Sequence, residues 1–177
     1  MKQQLRKLFT EHAVYTKMYI TSALHTLPDL EVLTNRLLRN QSDIGDFVKP
    51  IIGSNNGNKL TSLLKEHILA AAGAVNAVKT KTGIDEAVKK VFANSEQVSK
   101  FLNSLNPSKL PLSEVHQMFD QHNKYVIQMT QLHNSGSYKE EIETYDKYYE
   151  HMLMFSDALY EALQPDNKTH YVYYKHK

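Results

Sequence analysis

The sequence contains no cysteine and no tryptophan among its 177 residues. The absence of cysteine excludes disulfide bonds, thiolate metal sites, iron–sulfur clusters and cysteine nucleophiles. No run of about 18 apolar residues occurs, so we expect no membrane-spanning helix. Arginine is scarce and is found only at Arg6, Arg36 and Arg39. Because proteins that read nucleic-acid sequence usually depend on arginine, this scarcity counts against such a function.

Several enzyme motifs are also missing. The chain has no Gly-x-Gly-x-x-Gly fingerprint, no phosphate-binding loop, no Gly-x-Ser-x-Gly and no kinase signature. Its net charge of +2 is too small to indicate a dedicated polyanion binder. The N-terminal segment is amphipathic and does not form the apolar core of a signal peptide. We therefore expect a cytoplasmic protein (in the host cytoplasm or a virion for a viral source) and favour a non-enzymatic role.

Apolar residues recur at helical spacing through most of the chain. This pattern predicts five long helices, over about 2–25, 58–81, 84–105, 112–136 and 138–163. Two short helices are predicted over about 29–39 and 43–49, with Pro50 and a turn at 53–57 after them. Short connections imply an all-α, single-domain antiparallel bundle over 1–163, followed by an aromatic and basic tail over 164–177. No strong internal repeat is apparent.

Three of the long helices each carry one histidine at mid-length on the apolar face, and these are His12, His67 and His122. A fourth, His151, borders the apolar stripe of the last helix. Each lies about ten to fifteen residues from both ends of its helix, so an antiparallel bundle brings them to similar heights. Because a buried imidazole needs a hydrogen-bond partner or a ligand, this layer predicts a polar site inside the core.

Carboxylates accompany these histidines. Glu11, Glu66 and Glu150 each precede one of them, and Asp120 lies two residues before His122. They would flank the core face, either as outer partners that orient an imidazole or as solvated charges. Imidazole with carboxylate suits zinc, iron, manganese, copper or nickel. A small-ligand or acid–base pocket, and ordinary core histidines bonded to tyrosine or backbone, are the alternatives.

Three surface features add further hypotheses. Arg36 and Arg39 lie one turn apart, and they could clamp an anion or form salt bridges to Asp43 or Asp46. His116 and Asp120 form an i, i+4 pair that could make a surface site with His122. In the tail, aromatic and basic residues alternate, which would suit nucleic acid, a protein partner or a second subunit, or an ordinary terminus. These tail residues are Lys168, His170, Tyr171, Tyr173, Tyr174, Lys175, His176 and Lys177.

An ordered set of motifs resembles a family of small, poorly characterised, mostly bacterial helical proteins. The motifs are Leu8-Phe9-Thr10-Glu11-His12, Leu27-Pro28-Asp29, Thr34-Asn35-Arg36-Leu37-Leu38-Arg39-Asn40, Leu64-Lys65-Glu66-His67-Ile68, Phe92-Ala93-Asn94-Ser95-Glu96, Leu105-Asn106-Pro107 and Tyr145-Asp146. The resemblance covers about residues 5–163 and implies a cytosolic helical bundle with no settled activity. The chain departs from it in lacking tryptophan, with Phe9 and Phe92 at the positions of a larger aromatic.

The sequence leads to two main functional hypotheses. The first is a non-enzymatic binding protein with a histidine-lined internal site for a transition-metal ion or a small ligand. The alternative is a structural or interaction protein whose partner is another protein, a second copy or nucleic acid, with the histidines as core residues only. A third, less favoured hypothesis is an enzyme that uses one histidine as a general base.

Overall fold

A computed structural model describes residues 1–164 and places six helices in them, with no strand. The helices are α1 (Lys2–His25), α2 (Leu30–Ile52), α3 (Ser54–Thr80), α4 (Ile84–Leu105), α5 (Leu112–Ser135) and α6 (Tyr138–Leu163). The predicted all-α bundle is confirmed. None of these six helices has a stretch long and apolar enough to cross a bilayer. The predicted tail, apart from its first residue, lies outside the described residues.

The two short helices predicted over 29–49 are a single helix, α2. Asn40, which lies between the two predicted ranges, is fully buried, and its Nδ2 donates to the carbonyl of Leu8. Pro50 lies within the helix, which continues to Ile52. The prediction was wrong because the buried face continues at helical spacing through this polar stretch. Asn40 and Gln41 are buried on it, between Leu37 and Ile44.

The predicted turn at 53–57 is confined to Gly53, whose φ of 85° and ψ of 154° separate α2 from α3. Gly57 lies inside α3 and faces Gly45 on α2. A Cβ added at Gly45 would lie 2.9 Å from the carbonyl oxygen of Gly57, and one at Gly57 would lie 3.0 Å from that of Gly45. These glycines therefore permit a close approach of two helix backbones. From the sequence alone, a glycine of this kind looks the same as a glycine in a turn.

Each helix runs antiparallel to the next, and α1 also packs against α6, so the bundle closes on itself. The ion pair of Lys2 with Glu161 and that of Lys17 with Glu141 show the antiparallel register of α1 and α6. Helices α1, α3 and α5 also contact one another in the middle of the bundle. Because helix directions alternate along the chain, these three inner helices run parallel, and α2, α4 and α6 lie outside them.

The bundle contains a threefold internal repeat of a helical hairpin, which the sequence pattern did not reveal. His12, His67 and His122 lie on α1, α3 and α5 and are spaced 55 residues apart (12, 67, 122). The same spacing relates buried Leu5, Leu60 and Val115. We call α1–α2, α3–α4 and α5–α6 the first, second and third hairpins. The sequence shows no strong repeat because only a few positions in each hairpin keep the same residue type.

Candidate functional site

The rings of His12, His67 and His122 come together in the interior, where we call them the histidine trio. The ring centroids of His12 and His122 lie 5.7 Å apart, and those of His67 and His122 lie 5.6 Å apart. All three side chains are buried. They meet because each lies near the middle of an inner helix and the three inner helices are parallel. The expected interior layer of imidazoles is thus present in the structure.

In each hairpin, two consecutive residues of the outer helix contact the histidine or the backbone of its helix, at equivalent positions. The first residue of the pair donates a hydrogen bond to the carbonyl four residues before the histidine. The three bonds run from Asn40 Nδ2 to Leu8 O (2.9 Å), from Asn94 Nδ2 to Leu63 O (3.2 Å) and from His151 Nε2 to Met118 O (3.0 Å). His151, predicted as a ligand, therefore uses its Nε2 on the backbone and occupies the place that asparagine has in the other hairpins.

The second residue of the pair contacts the Nδ1 atom of the histidine. These contacts are Gln41 Nε2 to His12 (3.1 Å), Ser95 Oγ to His67 (3.5 Å) and Met152 Sδ to His122 (3.2 Å). His67 Nδ1 has a second and closer partner in Asn94 Oδ1, at 3.0 Å. Every Nδ1 atom of the trio is therefore engaged by an outer helix, as metal-binding or ligand-binding imidazoles are when their rings are held in place.

The partners of His67 determine which of its ring nitrogens carries the proton. Asn94 Nδ2 donates to the carbonyl of Leu63, so Oδ1 is the atom that faces the ring. An amide oxygen can only accept, so His67 Nδ1 carries the proton and Nε2 keeps its lone pair. That Nε2 is buried and has no hydrogen-bond partner among residues 1–164. A buried acceptor without a donor is a cost that a bound ligand would remove.

The partner of His122 determines its tautomer in the same way. Met152 Sδ can only accept, so His122 Nδ1 donates to it and Nε2 keeps a lone pair. His12 Nδ1 has two neighbours: the Gln41 amide nitrogen, which also lies near Leu37 O and Asn40 Oδ1, and the Asn40 side chain, which hydrogen-bonds to the ring. The trio therefore presents lone pairs on the Nε2 atoms of His67 and His122.

The trio is uncharged at neutral pH. Burial, with a smaller contribution from the neighbouring His67, lowers the pKa of His12 to about 4. Burial also lowers the pKa of His67 to about 4. Burial and three neighbouring histidines hold the pKa of His122 well below its usual value. The trio is therefore a neutral polar group, suited to uncharged hydrogen-bonding partners or to a metal ion and unsuited to binding an anion.

Two small cavities adjoin the trio, and all three imidazoles line both of them. One has a volume of about 50 Å³ and is otherwise lined mainly by apolar side chains such as Phe9, Leu60 and Phe155. The other has a volume of about 30 Å³ and reaches Ile20 and Val75. A single water needs roughly 10–15 Å³ by this kind of measure. The space beside the imidazoles therefore suits a ligand of a few non-hydrogen atoms with a mostly apolar surface.

The carboxylates predicted as supporting residues lie away from the hydrogen bonds of the trio. Glu11 pairs with Arg36 at 2.8 Å, Glu66 accepts from Ser62, and Glu150 is exposed. In residues 1–164 the Nδ1 atoms of the trio are contacted by amide, hydroxyl and thioether groups. The interpretation of these carboxylates as solvated charges or ion-pair partners fits their positions better than an orienting role.

Arg36 is engaged by protein groups. Its guanidinium pairs with Glu11 and lies 3.8 Å from Asp43, and it stacks over the Tyr15 ring at 4.5 Å. Arg39 is exposed and lies 4.0 Å from Asp43. The structure therefore places Arg36 in salt bridges, one of the two alternatives given for the arginine pair, and the two guanidinium groups share the Asp43 carboxylate.

His116 and Asp120 line an open groove between α4 and α5 with Glu96 and Ser99. His122 is buried in the trio, so it does not join this pair in a surface site. Phe119 separates the groove from the larger cavity, because it lines both. Its ring packs edge-on against His67 with centroids 5.9 Å apart.

Sequence reasoning missed the three residues that contact the trio most directly, Gln41, Asn94 and Met152. The 55-residue spacing of the histidines was a partial signal, because the equivalent pairs Asn40-Gln41 and Asn94-Ser95 are 54 residues apart and follow it only to within one residue. Sequence reasoning also missed a separate pair of histidines, His25 and His133, whose Nε2 atoms lie 3.0 Å apart.

Comparison of the chain with protein families, curated proteins and solved structures finds no match. The family resemblance described from the motifs therefore stays an expectation. No group of three or more histidine, aspartate or glutamate side chains within the described part of the chain is arranged to hold a metal ion. Function must be argued from the geometry of the trio.

Proposed function

We propose that the protein is a non-enzymatic binding protein whose interior site takes a small, uncharged, mostly apolar ligand with a hydroxyl group. The observation that carries this proposal is the buried Nε2 of His67, an acceptor without a donor beside a cavity that all three imidazoles line. The proposal keeps the cytoplasmic location expected from the sequence.

The hydrogen-bonding character of the trio supports a hydroxyl group. His67 and His122 present Nε2 lone pairs, as their partners require. A hydroxyl group can donate to such a lone pair and carries no charge. The apolar lining of the cavity suits the rest of such a molecule.

A transition-metal ion is the second candidate, favoured by one observation. Three imidazoles bound to one ion through bonds of 2.0–2.1 Å would have ring centroids about 5.2 to 5.6 Å apart. The measured separations are 5.7 and 5.6 Å. Two features count against the ion. No group of three or more histidine or carboxylate side chains in residues 1–164 is arranged to hold a metal ion. The nearby carboxylates are also engaged elsewhere, so they would not balance the charge of a buried dication.

Ethanol and propane test the proposal, since both fit a cavity of this size, have nearly the same shape and differ in the hydroxyl group. We expect ethanol to shift the NMR signals of the trio, with propane binding at least about tenfold more weakly. His67→Leu should remove the preference for ethanol. Asn76→Ala, at an exposed position on the same helix, should retain it.

Three outcomes would overturn the proposal. Equal binding of ethanol and propane would show that the imidazoles do not recognise a hydroxyl group. A zinc-dependent rise in melting temperature that His67→Leu abolishes, without ethanol binding, would identify the metal ion as the ligand. No response to ethanol, propane or zinc would leave the histidines as core residues, as the interaction-protein alternative requires.

A further inference from the structure

A second histidine cluster lies at one end of the bundle, outside the trio. His25 on α1 and His133 on α5 face each other with their Nε2 atoms 3.0 Å apart and ring centroids 5.1 Å apart. His25 is exposed, and His133 is buried. The contact therefore joins a solvent-accessible imidazole to one that the protein holds in place.

A buried carboxylate orients His133. Glu141 is 1% exposed, and its Oε2 lies 2.9 Å from His133 Nδ1. A carboxylate oxygen accepts, so Nδ1 carries the ring proton and Nε2 presents a lone pair toward His25. The second oxygen of Glu141 pairs with Lys17 at 2.5 Å, which holds the carboxylate in position. Many metal-binding histidines have this arrangement: a carboxylate binds one ring nitrogen, and the lone pair of the other nitrogen faces the metal.

The charges around the pair also favour a bound cation. His25 and His133 lie in the last turns of α1 and α5, where the helix dipoles present their negative ends. The two lysines nearby are engaged, Lys17 with Glu141 and Lys79 with the carbonyl of Ala23. The contacts of both ammonium groups therefore direct them away from the space between the two imidazoles.

We propose that His25 and His133 form a transition-metal site through their Nε2 atoms, with water in the remaining positions. Tetrahedral coordination at 2.0–2.1 Å would separate the two nitrogens by about 3.3 Å, a few tenths of an ångström more than in the structure, and each ring would tilt by roughly 35° so that both lone pairs meet at the ion. In the metal-free protein His25 Nε2–H donates to His133 Nε2. On binding, that proton moves to His25 Nδ1 through solvent, and both Nε2 lone pairs go to the ion. Copper(II), zinc and nickel suit such imidazole ligands.

Copper(II) binding to the full-length protein, followed by titration calorimetry and electron paramagnetic resonance, tests this site. We expect one copper equivalent whose spectrum shows two coupled nitrogens. His25→Ala removes an exposed ligand without disturbing the core, and it should weaken that equivalent at least about tenfold. Glu141→Gln should weaken it about tenfold, through loss of the orienting carboxylate.

Two variants separate this site from other histidines. His116→Ala changes the same helix as His133 but 17 residues away, or about 25 Å along the axis, and should leave copper binding unchanged. His67→Leu changes the interior trio and should also leave it unchanged. Equal copper affinity in His25→Ala and the wild type, or a spectrum without two coupled nitrogens, would overturn the proposal. Equal affinity in Glu141→Gln would refute the orienting role of Glu141.

Discussion

Asn94 accepts a hydrogen bond from His67 at 3.0 Å, and through this contact the outer helix of the second hairpin determines which nitrogen of His67 faces the cavity. The Asn94 amide cannot turn over without losing its bond to the carbonyl of Leu63. The tautomer of His67 is thus determined, through Asn94, by the carbonyl of Leu63 on the same helix, α3. This linkage makes Asn94 a positioning residue for the proposed ligand site.

Asn94→Ala should lower the free energy of unfolding by about 1–3 kcal/mol, because it leaves the buried His67 Nδ1 with only the longer contact to Ser95 Oγ and removes the side-chain donor to the carbonyl of Leu63. Urea denaturation measures this change. Asn76→Ala removes an exposed asparagine from α3 and should change the stability little. Nitrogen-15 NMR of the imidazole should also show His67 changing from one tautomer to a mixture. Equal stability of the two variants would mean that the contact does not hold the ring.

Most of the fold was predictable because helical periodicity and helix ends are local signals. The bounds of α1, α4 and α6 agree with the prediction, since each ends at a proline-containing or glycine-containing connection. The errors cluster at 40–57, where Asn40 and Gly57 have types common in caps and turns. There the deciding interactions are long-range, from Asn40 to Leu8 and from Gly57 to Gly45, and a local pattern does not contain them.

The site was predictable in part, for the same reason. Convergence of His12, His67 and His122 follows from their position on apolar faces and from helix direction. Their partners Gln41 and Met152 were not predictable, because polar or flexible side chains on outer helices give no periodic signal of their own. The supporting role assigned to carboxylates rested on adjacency in sequence, and adjacent residues on a helix point about 100° apart.

Stability should fall as the pH drops from about 6.5 toward 4. The pKa values of His12 and His67 are about 4 in the folded protein and 6.5 for an unperturbed histidine. In that window the unfolded chain binds more protons than the folded one, so acid favours unfolding, and the full contribution is present above pH 6.5. Each of the two should contribute a loss of about 2 kcal/mol between pH 7 and pH 5. Urea unfolding at half-unit pH steps measures the slope.

His67→Gln tests the source of that pH dependence. It removes one of the histidines whose pKa is lowered by burial, so the variant should release fewer protons on folding in this window and show a shallower slope. Asn76→Ala, which removes no titrating group, should keep the wild-type slope. A slope that His67→Gln does not change would show that His67 is not a source of the acid sensitivity.

Gly45→Ala and Gly57→Ala should each destabilise the protein, by about 1–3 kcal/mol, because the new methyl group meets the backbone of the neighbouring helix. Gly73→Ala is the matched control. Gly73 also lies within α3, but a Cβ there would meet nothing within 4 Å. That substitution should stabilise the protein by about 0.5–1 kcal/mol, through helix propensity alone. Thermal denaturation that shows the same sign for all three variants would contradict the close approach of α2 and α3.

Two lysine–glutamate ion pairs of similar length should differ widely in their importance. Lys17 pairs with Glu141 at 2.5 Å, and the Glu141 side chain is 2% exposed. Lys100 pairs at 2.6 Å with Glu96, whose side chain is exposed. Lys17→Met leaves a buried carboxylate with His133 as its remaining ion-pair partner, so we expect it to cost about 3–5 kcal/mol. Lys100→Met should leave the urea midpoint nearly unchanged, because solvent screens the exposed pair. If Lys17→Met is as harmless as Lys100→Met, Glu141 is better solvated than its burial indicates, and the rigid support we assign to His133 is absent.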